Sequence, residues 1–201
     1  MSVHRGSPRA ATNAPATARP IPVDIRDGTD VRGDRLLDTA AGVLAKDPAA
    51  SLGQIAVAAG IGRTTLHKQF PTRHDLLVAV ASRALDISEA VIAAAPADPD
   101  PLRRMVADLL PFGAYLTLLT AQPEVFADDA VTARTDALAA PITAIVAGAG
   151  TLRPGVPEWW LVRSLHALLF TAWDLVQEGW LAPRDAPDLV LSTFTGGVLT
   201  R

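Results

Sequence analysis

Arg63, Thr64, Thr65, His67 and Lys68 lie close together in the chain, and no carboxylate stands among them. Their shared chemistry is donation to anions and polar edges. A guanidinium offers a planar fork of donors, an ammonium a mobile point charge, and threonine a hydroxyl beside a methyl. Residues 51–74 hold three basic side chains (Arg63, Lys68, Arg73), two histidines and no acid. Residues 1–50 hold seven basic and six acidic side chains, and residues 75–201 hold eight basic and fifteen acidic. The formal net charge of −3 therefore conceals a patch that attracts a polyanion, in a chain that beyond it repels one.

Other chemistries find little support. The absence of cysteine excludes disulfides, thiol catalysis and thiolate zinc. His4, His67, His74 and His166 are scattered, so no metal is expected. There is no Ser-His-Asp order, no paired carboxylate and no phosphate-binding glycine loop; Gly60-Ile61-Gly62 is a lone glycine pair. An enzyme is not expected, and no cofactor is implied.

The elements that must position the basic patch are short helices. Leu36, Ala40, Val43 and Leu44 recur at helical spacing, with Asp34 as N-cap and Lys46-Asp47-Pro48 as the stop. Ser51 caps a second helix with the apolar face Leu52, Ile55, Ala56 and Ala59, and Gly60 supplies the turn. A third covers residues 62–69, with Leu66 and Phe70 inward and Pro71 as terminator. Thr72 caps a long fourth helix over residues 73–95, with Leu76, Leu77, Val80, Leu85 and Ile87 inward. Residues 51–70 thus read as a helix-turn-helix whose second helix turns short polar and basic side chains outward, as groove recognition requires.

From Leu36 to Leu77 the sequence resembles the DNA-binding domain of the tetracycline-repressor (TetR) family. The residues that carry the resemblance are Ile55-Ala56-Val57-Ala58-Ala59-Gly60, Thr65-Leu66-His67-Lys68-Gln69-Phe70 and Asp75-Leu76-Leu77. The resemblance implies that Ser51 and Gln54 contact phosphate and that Arg63, Thr64 and Thr65 lie in the major groove. It also implies that His67 and Lys68 touch backbone phosphates, with Arg73 joining them from the start of the fourth helix. Gly53 stands where the family often has a longer polar side chain, and Thr64 where many members have glycine.

Residues 1–32 are rich in Pro, Ala, Thr and Arg, have no helical or strand period, and are expected to be a disordered tail. Beyond residue 77, helices are expected over 101–120, 128–148, 156–179 and 186–199, kinked at Pro111 and Pro141. No segment alternates with period two, so no sheet is expected. The fold class is all-α: a helix-turn-helix domain over residues 33–77 and a helical ligand-binding and dimerisation domain over 78–201.

Trp159, His166, Trp173 and Trp180 recur every seven residues, beside a second stripe of Leu161, Leu165, Leu168, Ala172 and Leu175. A helix apolar on two sides is buried on two sides, here against the core and a second copy. The family pairs its last two long helices in a twofold dimer, and residues 156–179 and 186–199 match that placement. A homodimer suits a palindromic double-stranded DNA operator. Splayed helices near the two prolines leave room for an unidentified small-molecule effector. Met105, Leu109, Phe112, Tyr115, Phe126, Ile142, Phe170 and Trp173 are its expected lining, with Asp108, Tyr115, Arg163 and His166 as polar handles.

No uninterrupted apolar run reaches the roughly 18 residues of a membrane span, so no membrane partner is expected. Prolines 8, 15, 20 and 22 break any amphipathic transit helix, and a cytoplasmic location is expected. The reading is a ligand-responsive DNA-binding regulator, a repressor that releases its operator on binding a small molecule. A helical ligand- or partner-binding module without DNA binding is the alternative. Activation in place of repression also fits the sequence.

Overall fold

A computed structural model describes residues 31–200, with side chains from Gly33 onward. The expected tail therefore lies outside the described residues except at its end. Val31 and Arg32 already belong to helix α1 (Val31–Lys46), which starts ahead of the expected N-cap and takes Asp34 into its first turn. Leu36, Ala40 and Leu44 are buried along α1, and Val43 is half-buried. Two short helices follow, α2 (Leu52–Ala58) and α3 (Arg63–Gln69), then the long α4 (Arg73–Ala94). Ser51 and Gln54 form a reciprocal capping box at α2, and Thr72 and Asp75 form another at α4. The Thr72 hydrogen bonds hold the Asp75 carboxyl below the usual carboxylate range. The expected boundary at residues 77/78 falls inside α4, so the two halves share one continuous helix.

The second half contains α5 (Pro101–Leu109), α6 (Gly113–Ala121), α7 (Asp129–Ala137), α8 (Ala139–Gly148), α9 (Glu158–Gln177) and α10 (Ala186–Val198). At both expected kinks the α-helix is interrupted. Pro111 lies in a 3-10 turn, Leu110–Phe112, that separates α5 from α6. The other break falls at Leu138, ahead of Pro141. Proline lacks the N–H that would bond the carbonyl four residues earlier, and its ring crowds the preceding turn. Residues 129–148 are long and apolar enough by length and composition to cross a membrane. That stretch is nevertheless divided at Leu138 and carries Asp129, Arg134 and Asp136. Among the described residues there is no strand, only an isolated antiparallel bridge between Leu152 and Leu199.

Helix α1 lies against α2, α4 and α6; α9 lies against α6, α8 and α10; α5 lies between α4 and α10. One apolar core runs through all of them, from Leu36 to Val198. Arg134 of α7 clamps α4 through Asp86 (2.7 Å) and Glu89 (2.8 Å). Those two carboxylates hold the Arg134 guanidinium well above its ordinary pKa, Glu89 contributing most. Arg103 of α5 likewise pairs with Asp188 of α10.

The repeating Trp/His stripe is only partly a single face. Helix α9 ends at Gln177, so Trp180 lies beyond it. His166 and Trp173 turn toward α6: His166 Nε2 lies 2.8 Å from the Leu116 carbonyl, and a Cβ on Gly113 would collide with the Trp173 side chain. Spacing alone gave the same phase to residues that packing sends to different neighbours.

Candidate functional site

The turn between α2 and α3 is built by the backbone. Gly60 has φ +66°, and the amides of Gly60 and Ile61 bond back to the carbonyls of Val57 (3.1 Å) and Ala56 (3.0 Å). This is a glycine-closed helix end in the left-handed region that residues with a Cβ avoid. Ile55, Ala56 and Leu66 are buried where the two helices meet. Gly62 caps α3 from extended backbone, and the helix stops at Phe70-Pro71.

Burying Leu66 orients everything else on α3. Arg63, Thr64, Thr65, His67 and Lys68 are all exposed on the remaining face. The structure thus brings the five expected groove residues together on one short helix. Arg63 reaches back toward α2, where Gly53 offers no side chain. A Cβ built on Gly53 would stand 3.3 Å from Arg63 Nε and 3.4 Å from Cζ. A cleft of about 520 Å³ opens there, lined by Ser51, Gly53, Gln54, Val57, Ala58 and Arg63.

Ser51 and Gln54 are exposed at the rim of that cleft. Gln54 Oε1 accepts from the Ser51 amide and hydroxyl at 2.8 Å each, so its carbonyl end is occupied by the cap. Arg73, expected to touch phosphate, is engaged within the protein. Its guanidinium turns inward to the Pro48 carbonyl (2.5 Å), the Ala50 carbonyl (3.4 Å), Gln122 Oε1 (3.3 Å) and Glu124 Oε1 (3.2 Å). The cause is local: carbonyls of the α1–α2 loop lack helical partners, and a fork of five donors satisfies several at once. Sequence reading did not single out Gln122, Glu124 or Asp38, because nothing in their spacing marks them as neighbours of the head.

The expected effector residues are not gathered around one cavity. Met105, Leu109 and Ile142 are buried in the core, whereas Phe126 is exposed on a 3-10 turn, Pro123–Ala127. Tyr115 is buried and its hydroxyl donates to Asp38 Oδ1 of α1 at 2.6 Å. Burial, and then the Asp38 carboxylate, push the Tyr115 pKa far up. Asp108 pairs with Arg104 along α5, and Arg163 is exposed. His166 is pushed below the usual histidine range by burial first, partly offset by its bond to the Leu116 carbonyl. Phe112, Phe170 and Trp173 are half-buried. Trp173 does line a cavity of about 280 Å³, with Leu110, Pro111, Val176, Gln177 and Ala186 among its other walls. Among the described residues no cluster of His, Asp or Glu could hold a metal ion.

A compact head that exposes one cationic helix face, carried on a helical body, defines a helix-turn-helix transcriptional regulator. No protein-family model matches the chain. It is 34% identical over 169 residues to the HTH-type transcriptional repressor LfrR of Mycolicibacterium smegmatis, covering 82% of this chain and 89% of that protein. The crystal structure of the TetR-like regulator LfrR from Mycobacterium smegmatis in complex with proflavine superposes with a TM-score of 0.68. That match is 33% identical and covers 85% of this chain and 98% of the other. A TetR family transcription regulator from Marinobacter aquaeolei VT8, 20% identical, has the same fold (TM-score 0.62; 85% and 96% covered). The chain belongs to the TetR family: it is an all-α, DNA-binding transcriptional regulator and not an enzyme.

Proposed function

We propose that this protein is a homodimeric cytoplasmic repressor that holds a palindromic operator and releases it on binding a small effector. The observation that carries the DNA-binding part is α3, where one buried leucine leaves five polar or basic side chains exposed together. Arg63, Thr64 and Thr65 read base edges: an arginine can bond guanine bidentately, and a threonine methyl can meet that of thymine. His67, Lys68, Ser51 and Gln54 hold phosphates on either side.

Support for the dimer comes from the outer sides of α9 and α10 and the segment that joins them. Trp159, Trp160, Trp180 and Leu189 are 60%, 51%, 80% and 49% exposed. Trp159 and Trp160 stand edge to face at the start of α9, and exposed large apolar groups of this kind suit an interface. Gly196 and Gly197 are also exposed with open space beside them, where a second helix can approach closely.

Support for the effector comes from the proflavine complex of the relative. Proflavine is a flat cationic aromatic. The cavity beside Trp173 offers such a molecule a ring to stack on. Effector binding favours a dimer whose two recognition helices no longer match one DNA turn, roughly 34–36 Å apart.

The test is operator binding by the purified protein across salt concentrations, with and without proflavine. Log K is expected to fall by about 0.9 per phosphate contact for each decade of salt. Proflavine is expected to raise the melting temperature and weaken operator binding by at least fivefold, the low end of about 1–3 kcal/mol of coupling. A flat salt response refutes the DNA interface. Release without a shift in melting refutes an effector site on the protein.

A further inference from the structure

The inward turn of Arg73 exposes a junction that helix packing alone does not explain. Gln122 stands at the end of α6, in the regulatory half, and is only 3% exposed. Its Nε2 donates to the carbonyl of Pro48, in the loop between α1 and α2, at 2.5 Å. The Arg73 Nη2 donates to the same carbonyl, also at 2.5 Å, and to Gln122 Oε1 at 3.3 Å. Both lone pairs of the Pro48 oxygen are therefore used, and the three groups close a ring.

We propose that Gln122 is a positioning residue that, through Pro48 and Arg73, sets the angle of the helix-turn-helix on the regulatory half. It thereby sets the half-site spacing that the dimer accepts. The proposal rests on the dimeric DNA-binding reading above and adds a residue to it. The other ties between the halves are the Tyr115–Asp38 hydrogen bond from α6 to α1 and the continuous backbone of α4. Helix α4 continues through the junction and can bend, and the Tyr115–Asp38 bond lies near the start of α6, on an exposed carboxylate. Two hydrogen bonds on the Pro48 carbonyl, just past the other end of α6, fix the angle there, because their strength falls steeply with misalignment.

The chemistry of the position is specific. It needs a donor for Pro48 and an acceptor for Arg73 in one planar group, which glutamine supplies. Glutamate lacks the donor and would set a carboxylate against the Pro48 oxygen. Methionine fills a similar volume and lacks both functions. Glu124, paired with Arg73 at 3.2 Å but half-exposed, adds a weaker outer tie. None of these groups belongs to α3, so changing Gln122 alters where the reading surface is held and leaves the surface itself intact.

The experiment uses the full chain and a palindromic duplex selected by the wild-type protein from a random pool. Affinities are measured for that duplex, for spacers longer and shorter by one or two base pairs, and for a single half-site. The wild type is expected to favour its own spacing by about tenfold or more over the nearest alternatives, as the fixed separation of paired recognition helices demands. Gln122→Met is expected to flatten that profile to within about threefold while half-site affinity stays within about twofold. Gln122→Glu gives a second reading should methionine prevent folding, and it is expected to flatten or shift the profile.

A folded Gln122 variant that keeps the wild-type spacing profile overturns the proposal and leaves the dimeric reading intact. A fall in affinity that is equal on half-site and full operator, with the profile unchanged, also overturns it, because that is the mark of a merely structural role. Wild-type protein that binds a half-site as tightly as a palindrome overturns the dimeric reading itself, and this proposal with it.

Discussion

The Tyr115 hydroxyl of α6 donates a 2.6 Å hydrogen bond to Asp38 Oδ1 of α1, joining the regulatory body to the first helix of the DNA-binding head. Beside it, Arg83 of α4 pairs with Asp34 of α1 at 3.5 Å. The head is thus held at two places on α6: near its start by Tyr115 and, just past its end, by Gln122.

Tyr115→Phe removes the donor and leaves the ring in place. Asp38 is exposed and regains water, so the expected cost is about 0.5–1.5 kcal/mol, the net value of one hydrogen bond. The raised pKa adds a pH signature. A group whose folded pKa lies above its unfolded value stabilises fully below the unfolded value, about 10 for tyrosine, and less as the pH climbs past it. The wild type is expected to lose stability between about pH 10 and 11, and Tyr115→Phe to lose less. Urea titrations at neutral and alkaline pH measure both.

His166 gives the opposite limb. Burial lowers its pKa, so the native state keeps the ring neutral with Nε2–H donating to the Leu116 carbonyl. The unfolded chain takes up a proton below about pH 6.5, and the native state does so only at lower pH. Stability contributed by His166 is therefore present above that pH and declines as the pH falls. His166→Gln, which retains an amide donor for Leu116, is expected to flatten the acid limb between about pH 5 and 6.5. Melting curves of the two proteins over that range decide it; parallel curves would contradict the assignment.

Gly53→Ala should separate stability from recognition. Alanine in place of helical glycine stabilises by up to about 1 kcal/mol. The new Cβ meets the end of the Arg63 side chain, which is flexible enough to move aside at little cost. Melting temperature is expected to rise, while preference for the base read by Arg63 changes. Arg63→Ala should lose that preference outright, costing about 1–3 kcal/mol at one position. Lys68→Ala should weaken all sequences alike and reduce the salt slope by about 1. Binding to a panel of single-base operator variants distinguishes the three.

Gly113→Ala inserts a methyl where Trp173 already lies. Overpacking of this kind costs about 1–3 kcal/mol. Because Trp173 also walls the proposed effector cavity, the variant is expected to weaken the proflavine-induced shift in melting temperature as well. Unchanged ligand response in a destabilised Gly113→Ala would remove Trp173 from the effector site.

The all-α class, the four N-terminal helices and the exposed face of α3 were legible in the sequence, because each rests on short-range rules. Ser51 and Thr72 stood at the expected caps, Gly60 at the turn, and Leu66 at the spacing that turns Arg63 through Lys68 outward. The effector lining was not legible. Apolar residues such as Met105 and Ile142 serve a core and a pocket equally well, and periodicity does not say which neighbour fills the space.

What the sequence determined by itself was local: the caps at Ser51 and Thr72, the turn at Gly60, and which side chains one buried leucine forces outward. Only the tertiary structure decided that Arg73 turns inward to the α1–α2 loop, that His166 and Trp173 face α6, and that Gln122 reaches Pro48 across the junction. Those outcomes depend on donors and acceptors far apart in the chain, such as Gln122 and Pro48, which meet only after the helices have packed. Hydrogen bonding rewards that meeting without leaving any period in the order of residues.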